Sequence, residues 1–113
     1  MFDSVSYVAL NSALDGLALR QKAIANNIAN INTPNYLAKR VRFEDELARQ
    51  VARGNGQVTA QRVVSLEPTR LDGNNVNLDT ETLSNIDTAL RYQVALRAVD
   101  GNFSSLRTAM RTN

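Results

Sequence analysis

Cysteine, histidine and tryptophan are all missing from this chain of 113 residues. Without cysteine there is no disulfide and no thiol nucleophile. Without cysteine and histidine, the usual zinc ligands and the commonest acid–base catalyst are missing too. We find no catalytic constellation, and we expect no metal site and no cofactor.

Long apolar runs and aromatic side chains are also scarce. No stretch approaches the roughly 18–20 apolar residues that span a bilayer, so we expect no membrane-spanning segment. The first residues, 1–4, carry no basic segment followed by an apolar one, so a cleavable secretory signal is not expected. Aromatics make up 5% of a chain that is 43% hydrophobic, and alanine and aliphatic residues supply the rest. Small aliphatics suit helices that pack closely.

The net charge is only +2, and eleven of the 13 basic residues are arginine. Arginine suits fixed, bidentate contacts between protein surfaces better than lysine does, although nucleic acid would also accept it.

Apolar residues recur with heptad spacing at both ends of the chain, which predicts two long helices. The first covers residues 4–31 and ends before Pro34, because the residue before a proline is pushed out of the helical region. The second begins near Asp79, which can cap it, and we expect a kink at Asp100–Gly101. One stripe of the second helix consists of Leu83, Ile86, Leu90 and Val94. We predict that the packing seams, and the assembly interface, are formed by Leu10, Leu14, Leu17, Ile24 and Ile28 of the first helix and Tyr92, Leu96, Val99, Phe103 and Leu106 of the second.

The middle of the chain is of a different kind. A short helix is expected over 43–51, a strand over 58–64 and a turn at 72–75. The predicted fold is mainly α, with two long terminal helices pairing as an antiparallel coiled coil around a short irregular, β-containing middle segment. The three segments are 1–33, 34–78 and 79–113. Because one helix pair leaves much of each apolar stripe exposed, the sequence predicts an oligomer or complex.

The densest local signal is an asparagine-rich string over residues 25–36. Asparagine is a poor helix former that competes for backbone hydrogen bonds. At a helix end, however, Asn30 and Asn32 can satisfy orphan carbonyls, and Asn35 suits the positive φ of a turn after proline. We predict that Asn27, Asn30, Pro34 and Tyr36 together fix the bend out of the first helix.

This string resembles the N-terminal signature of flagellar rod and hook proteins, an A-x-N-aliphatic-A-N segment followed by T-P-G-Y. Asn35 stands where that family usually has glycine. The segments 72–79, 90–93 and 103–110 are similar to those of the smallest, proximal rod subunits. The matching motif residues are Asn27, Ala29, Asn30, Thr33, Pro34 and Tyr36.

The resemblance implies a non-catalytic subunit of the flagellar basal body, located in the periplasmic rod and exported without a cleavable signal peptide. The implied partners are other rod subunits, the rod base at the membrane ring, copies of the same chain and the flagellar type III export gate. The family's export substrates carry a short Phe-x-x-x-aliphatic element for that gate, which Phe43 and Leu47 match. Phenylalanine and leucine at this spacing are also an ordinary helix-packing pair.

Two other functions fit parts of the sequence. The basic residues Lys39, Arg40 and Arg42 invite nucleic-acid binding by a small helical or regulatory module. Against it stand the low net charge, the acidic residues 44–46 that follow, and the lack of an aromatic platform for bases. A salt-bridged subunit surface explains the cluster better. A cytoplasmic coiled-coil adaptor would share the long helices but leaves the asparagine string unexplained.

Overall fold

The computed structural model describes residues 4–111, including all their side chains except those of 102–106 and 111. This part of the chain is mainly helical: two long helices pack together, and a small two-stranded sheet lies between them in sequence. The elements are α1 (Ser4–Ala29), β1 (Lys39–Arg42), α2 (Glu44–Ala52), β2 (Gln61–Val64) and α3 (Leu78–Arg111).

The helices α1 and α3 run antiparallel along an elongated molecule of 67 × 26 × 14 Å. Asn27, near the end of α1, bonds to Glu81 near the start of α3, while Leu10 and Ala98 line one groove further along. Gly101 lies inside the uninterrupted helix α3, so the expected weak point there does not end it.

Both helix ends differ slightly from the sequence prediction. The α-helix of α1 ends at Ala29, and the chain turns through 30–35 with Asn35 at a φ of 62°, which confirms the predicted positive φ. Asn77, not Asp79, caps α3: its side-chain oxygen accepts hydrogen bonds from the backbone N–H groups of Asp79 (3.0 Å) and Thr80 (3.3 Å). Asp79 lies instead in the first turn, where a negative charge is favoured by the helix dipole.

The middle segment contains one strand that the sequence pattern does not predict. Strand β1 pairs antiparallel with β2, with Lys39 opposite Val64 and Arg42 opposite Gln61. Because three of its four residues are basic, β1 has only one apolar side chain to signal a strand. That residue, Val41, is buried, and the pairing with β2 supplies the rest of the stabilisation.

The core lies where α1 meets the middle segment. A cluster of buried residues joins the two, formed by Leu17, Ala23, Val41 and Phe43. Ser12 of α1 anchors the loop before β2, because its hydroxyl donates to the Gly56 carbonyl (2.7 Å) and accepts from the Val58 N–H (3.2 Å). The middle segment is therefore folded against α1 and is not a free linker.

We expect Gly16→Ala to destabilise the fold, because a Cβ at that position would lie 2.5 Å from the Phe43 ring. Moving a buried ring costs about 1–3 kcal/mol of unfolding free energy. Gly101→Ala is the matched control: nothing lies within 4 Å of its added Cβ, and alanine favours a helix interior by about 1 kcal/mol. Thermal unfolding followed by circular dichroism should therefore give shifts of opposite sign, and a stabilised Gly16→Ala variant would contradict this packing.

Candidate assembly surfaces and the asparagine junction

Asn27 is the centre of the junction where α1 ends, and it is fully buried. Its amide nitrogen donates to the Lys39 carbonyl and to Glu81 Oε1, both at 3.0 Å. Its oxygen accepts from the Lys39 N–H (2.9 Å) and from the Tyr36 hydroxyl (3.4 Å). One side chain thereby connects α1, the turn after it, β1 and α3.

Asn74 closes the end of α1 from the other half of the chain. Also fully buried, it donates through its amide nitrogen to the backbone carbonyls of Asn30 (2.8 Å), Ile31 (3.1 Å) and Thr33 (2.9 Å). We predict from the sequence that Asn30 and Asn32 satisfy such carbonyls. Asn30 does donate to the Asn26 carbonyl (2.8 Å), but Asn32 is exposed. The three asparagines within 74–77 are the sequence signal for this contact, although the pattern by itself predicts only a turn.

The two turns of the junction touch each other. The N–H of Asn35 donates to the Asp72 carbonyl (2.8 Å), and a Cβ at Gly73 would lie 2.3 Å from Asn35 Oδ1. Gly73 has a φ of 82° as well, so both its backbone conformation and its surroundings require glycine. The remaining motif residues lie around this contact: Thr33 bonds to Asn30 (3.1 Å), and Ala29 and Pro34 are exposed.

Arg40 and Glu81 form an ion pair across the junction. Glu81 is fully buried; its Oε1 accepts from both Asn27 and Arg40, while its Oε2 has no hydrogen-bond partner among the described residues. Burial opposes the charge of Arg40, but hydrogen bonds to Glu81 and Glu67 outweigh it, so the pKa of Arg40 is raised.

The basic cluster is therefore largely engaged within the chain. Arg40 is held by two carboxylates, and the Lys39 ammonium donates to the Leu37 carbonyl (2.9 Å) and lies 5.1 Å from the centre of the Tyr36 ring. Only Arg42 is exposed. These contacts favour the salt-bridged interpretation of the cluster over nucleic-acid binding.

A second polar link joins the three helices. Arg20 of α1 makes two 2.6 Å hydrogen bonds to Glu44 of α2, which also receives Arg91 of α3 at 3.3 Å. Arg91 in turn pairs with Asp87 at 2.9 Å. The hydrogen bond from Arg20 is the main cause of a lowered pKa at Glu44, and burial partly opposes it.

Because the folded-state pKa of Glu44 lies below its ordinary value of 4.5, its ion pairs stabilise the fold above that pH. The contribution is lost as the pH falls through the lowered pKa. We expect Glu44→Gln to lower stability at pH 7 by about 1 kcal/mol, since the group is partly exposed, and to differ less from the parent at an acidic pH below 4.5. Urea unfolding at both pH values measures this, with the exposed Asp45→Asn as control; a constant difference would contradict it.

The predicted packing seam is used mainly inside the chain. Leu17 and Ile24 are buried, and Leu10, Leu14, Tyr92 and Val99 are half-buried. Ile28 and Leu96 are the exposed members, while the side chains of Phe103 and Leu106 lie outside the described residues. An assembly role for this seam stays a prediction, and Leu17 is a poor probe of assembly because it belongs to the core.

A different stripe of α3 faces outward. Leu83, Ile86, Leu90 and Val94 are 69%, 53%, 58% and 68% exposed. The opposite face of α3 carries the buried residues Glu81, Thr88 and Ala95, spaced seven apart. Because polar and small side chains occupy the inner face, the large aliphatics face outward. A contiguous exposed apolar stripe is typical of surfaces that bind other proteins.

The Phe43–Leu47 pair lies at the start of α2. Phe43 is 4% exposed, and the Arg20 guanidinium lies over its ring at 5.0 Å from the centroid. Leu47 is half-buried against the same core. The pair therefore acts as a packing pair in the folded chain.

Between residues 4 and 111, no group of three or more acidic, cysteine or histidine side chains is placed to hold a metal ion. None of the helices in this range is long and apolar enough to cross a membrane.

Comparison with known proteins agrees with the motif. Residues 9–36 match a family described as flagella basal body rod protein. The chain is 34% identical to the flagellar basal body rod protein FlgB of Bacillus subtilis (strain 168), covering 89% of each chain. It is 31% identical to FlgB of Escherichia coli (strain K12) over 88% of each, and 31% identical to FlgB of Borrelia hermsii over 87% of this chain and 90% of that protein. These similarities confirm the resemblance, and the chain belongs to the flagellar basal-body rod protein family.

Proposed function

We propose that this chain is a non-catalytic subunit of the proximal part of the flagellar rod. In this proposal α1 and α3 pair as an antiparallel coiled coil, and the apolar faces left outside that pair pack against neighbouring subunits. The packed helices then transmit torque as a stiff tube. Membership of the rod family supports the structural role, and the antiparallel contact of α1 and α3 supports the pairing.

The observation that carries the proposal is the exposed stripe of α3. Four large aliphatic side chains, each more than half exposed, lie on one face of a helix. At about 25 cal/mol per Å² of apolar surface buried, covering such a stripe is a strong driving force for association. A subunit that packs heterologously on its neighbours generates a helical array rather than a closed dimer.

Location and export follow from the same proposal. The subunit lies in the periplasmic rod, next to other rod subunits, copies of itself and the rod base at the membrane ring. The flagellar export gate binds Phe43 and Leu47 before the chain folds, because the folded chain buries Phe43.

The test introduces charge at the first two residues of the stripe, which are 69% and 53% exposed. In a strain lacking its own subunit of this kind, we expect Leu83→Asp combined with Ile86→Asp to abolish rod assembly and swimming. The reason is that two carboxylates would be buried without partners in the interface. Purified basal bodies examined by electron microscopy and immunoblotting provide the readout.

The matched control is Thr82→Asp combined with Asn85→Asp, which adds the same charge at exposed polar positions of the same turns. This variant should support rod assembly, and circular dichroism should show the same helicity for both purified double variants. Normal rods containing the Leu83/Ile86 variant would refute the role of the stripe. Failure of the wild-type chain to enter basal bodies would refute the rod function.

A further inference from the structure

The β1–β2 ribbon has two outer edges, and α1 covers the one that belongs to β1. The Asn27 side chain accepts from the Lys39 N–H (2.9 Å) and donates to the Lys39 carbonyl (3.0 Å). Arg20 donates to the Val41 carbonyl (2.8 Å). The outward backbone groups of Lys39 and the outward carbonyl of Val41 therefore have partners within the chain.

The outer edge of β2 has no such cover. Hydrogen-bonded and non-hydrogen-bonded pairs alternate along an antiparallel ladder. The two residues of β1 direct these groups away from β2, so the residues opposite them, Val64 and Arg62, direct theirs away from β1. Both residues are exposed, and within the described part of the chain nothing bonds to their outward N–H and C=O groups. Two donors and two acceptors, about 7 Å apart along the strand, thus face outward.

An edge of this kind binds an extended segment that continues the sheet. Neighbouring strands lie about 4.7–4.9 Å apart, so side chains of the added segment would lie directly beside those of Arg62 and Val64. These residues are two apart and share one face of the strand, so their neighbours in the segment must also be two apart. Val64 is 46% exposed and Leu66, just past the strand, is 97% exposed. An aliphatic side chain therefore suits the position opposite Val64.

The charge of the ribbon favours an acidic segment. Neither strand contains an acidic residue, since β1 reads Lys-Arg-Val-Arg and β2 reads Gln-Arg-Val-Val. Two glutamates neutralise Arg40, but Arg42 and Arg62 have no acidic partner among the described residues. Arg42 lines a cavity of about 770 Å³ that Val64 also lines, so this second cation lies beside the same edge. Opposite charges in directly opposed positions stabilise strand pairing.

The same charge disfavours a second copy as the occupant. If β2 of one copy paired along its length with β2 of another, the two Arg62 residues would lie within about a Debye length, 8–10 Å, of each other. Like charges at such positions oppose pairing.

We infer that the outer edge of β2 binds an extended segment of another protein, with a carboxylate opposite Arg62 and an aliphatic side chain opposite Val64. The main chain of the segment supplies the affinity, and these two side chains supply the specificity. The edge lies outside the aliphatic stripe of α3, and the purified full chain is enough to test it, so its assignment does not depend on the rod function.

Hydrogen exchange followed by NMR measures this contact directly. The probe is the capped peptide Thr-Val-Thr-Glu-Thr-Val-Thr, which reads the same in both directions. Either strand orientation therefore places glutamate opposite Arg62 and valine opposite Val64. At millimolar peptide, exchange of the Arg62 and Val64 amides should slow several-fold, while that of Val63, which faces β1, should not change.

The control peptide carries lysine in place of glutamate and should slow exchange less. Equal slowing by the two peptides, or slowing by neither, would overturn the inference.

Two substitutions test the edge from the side of the protein. Val64→Pro removes the outward N–H but no ladder bond, because proline is tolerated where the N–H of an edge strand faces solvent. It should abolish the slowing at Arg62, whereas Val64→Ala, which keeps the N–H, should preserve it. Arg62→Glu should reverse the preference between the two peptides, and an unchanged preference would contradict the charge match. Should circular dichroism show that Val64→Pro loses helicity, the Arg62→Glu result decides alone.

Exchange measured without peptide over a concentration series tests the rival occupant. If the Arg62 and Val64 amides exchange more slowly as the chain concentration rises, a second copy occupies the edge and the assignment to another protein is wrong. Exchange that does not depend on concentration supports the inference.

Discussion

Asn27→Ala is expected to lower the free energy of unfolding by about 3–5 kcal/mol. The wild-type side chain makes four hydrogen bonds at a fully buried site. Truncation leaves the Lys39 N–H and carbonyl and the Glu81 carboxylate without this partner, and each such buried group costs about 1–3 kcal/mol. Since a domain of this size has only about 5–15 kcal/mol in total, the midpoint temperature should fall by roughly 10–20 °C.

Urea and thermal unfolding followed by circular dichroism measure this loss. Asn26→Ala is the matched control, because its side chain is the exposed neighbour of Asn27 on the same helix. Alanine favours a helix over asparagine, so the control should be neutral or slightly stabilised. Equal losses at the two positions would mean that the junction does not depend on the buried amide.

Phe43→Ala is expected to abolish or strongly reduce secretion through the flagellar export gate. Folded, the chain hides this ring under Arg20, with only 4% of the residue exposed, so the gate can contact it only before folding. The substitution also removes a core side chain, which costs about 3–5 kcal/mol and leaves the chain less folded. A less stable fold favours export of an unfolded substrate, so reduced secretion would have to come from loss of the motif.

Gly16→Ala is the control for this experiment. Its added Cβ disturbs the packing of the Phe43 ring, but both motif residues, Phe43 and Leu47, are kept. Immunoblots of secreted and cell-retained protein should show normal or increased secretion of Gly16→Ala and little of Phe43→Ala. Equal secretion of both variants would remove the gate role and leave Phe43 as a core residue alone.

Local physics accounts for the parts that were predictable from the sequence. Heptad spacing and Pro34 indicated two long helices and the end of the first, because these signals act within one or two turns of the backbone. Asn35 adopts the positive φ that its place after proline suggested. The asparagine string indicated that the chain bends out of α1 at this point. Its main partner, Asn74, lies over forty residues away and could not be identified from the local pattern.

The choice of helix face could not be read from the pattern of α3. The sequence contains two apolar stripes. The structure places Tyr92 and Val99 of the predicted seam half-buried, on the side of Glu81, Thr88 and Ala95, whereas the stripe from Leu83 to Val94 faces outward. Arg40 contributes to the burial of Glu81, because it forms an ion pair with the Glu81 carboxylate in the junction. A buried carboxylate needs partners from another element, and no local rule reports whether they are available.

From the sequence alone one can therefore read the helical class, the break near Pro34, the absence of cysteine and histidine chemistry, and the rod-family motif. Three features come only from folding: Asn74 bonds to the end of α1, Arg20 covers Phe43, and the aliphatic stripe of α3 faces outward. The difference lies in the range of the interactions. Turns, caps and periodicity act between near neighbours in sequence, whereas satisfying buried polar groups depends on residues that only folding brings together.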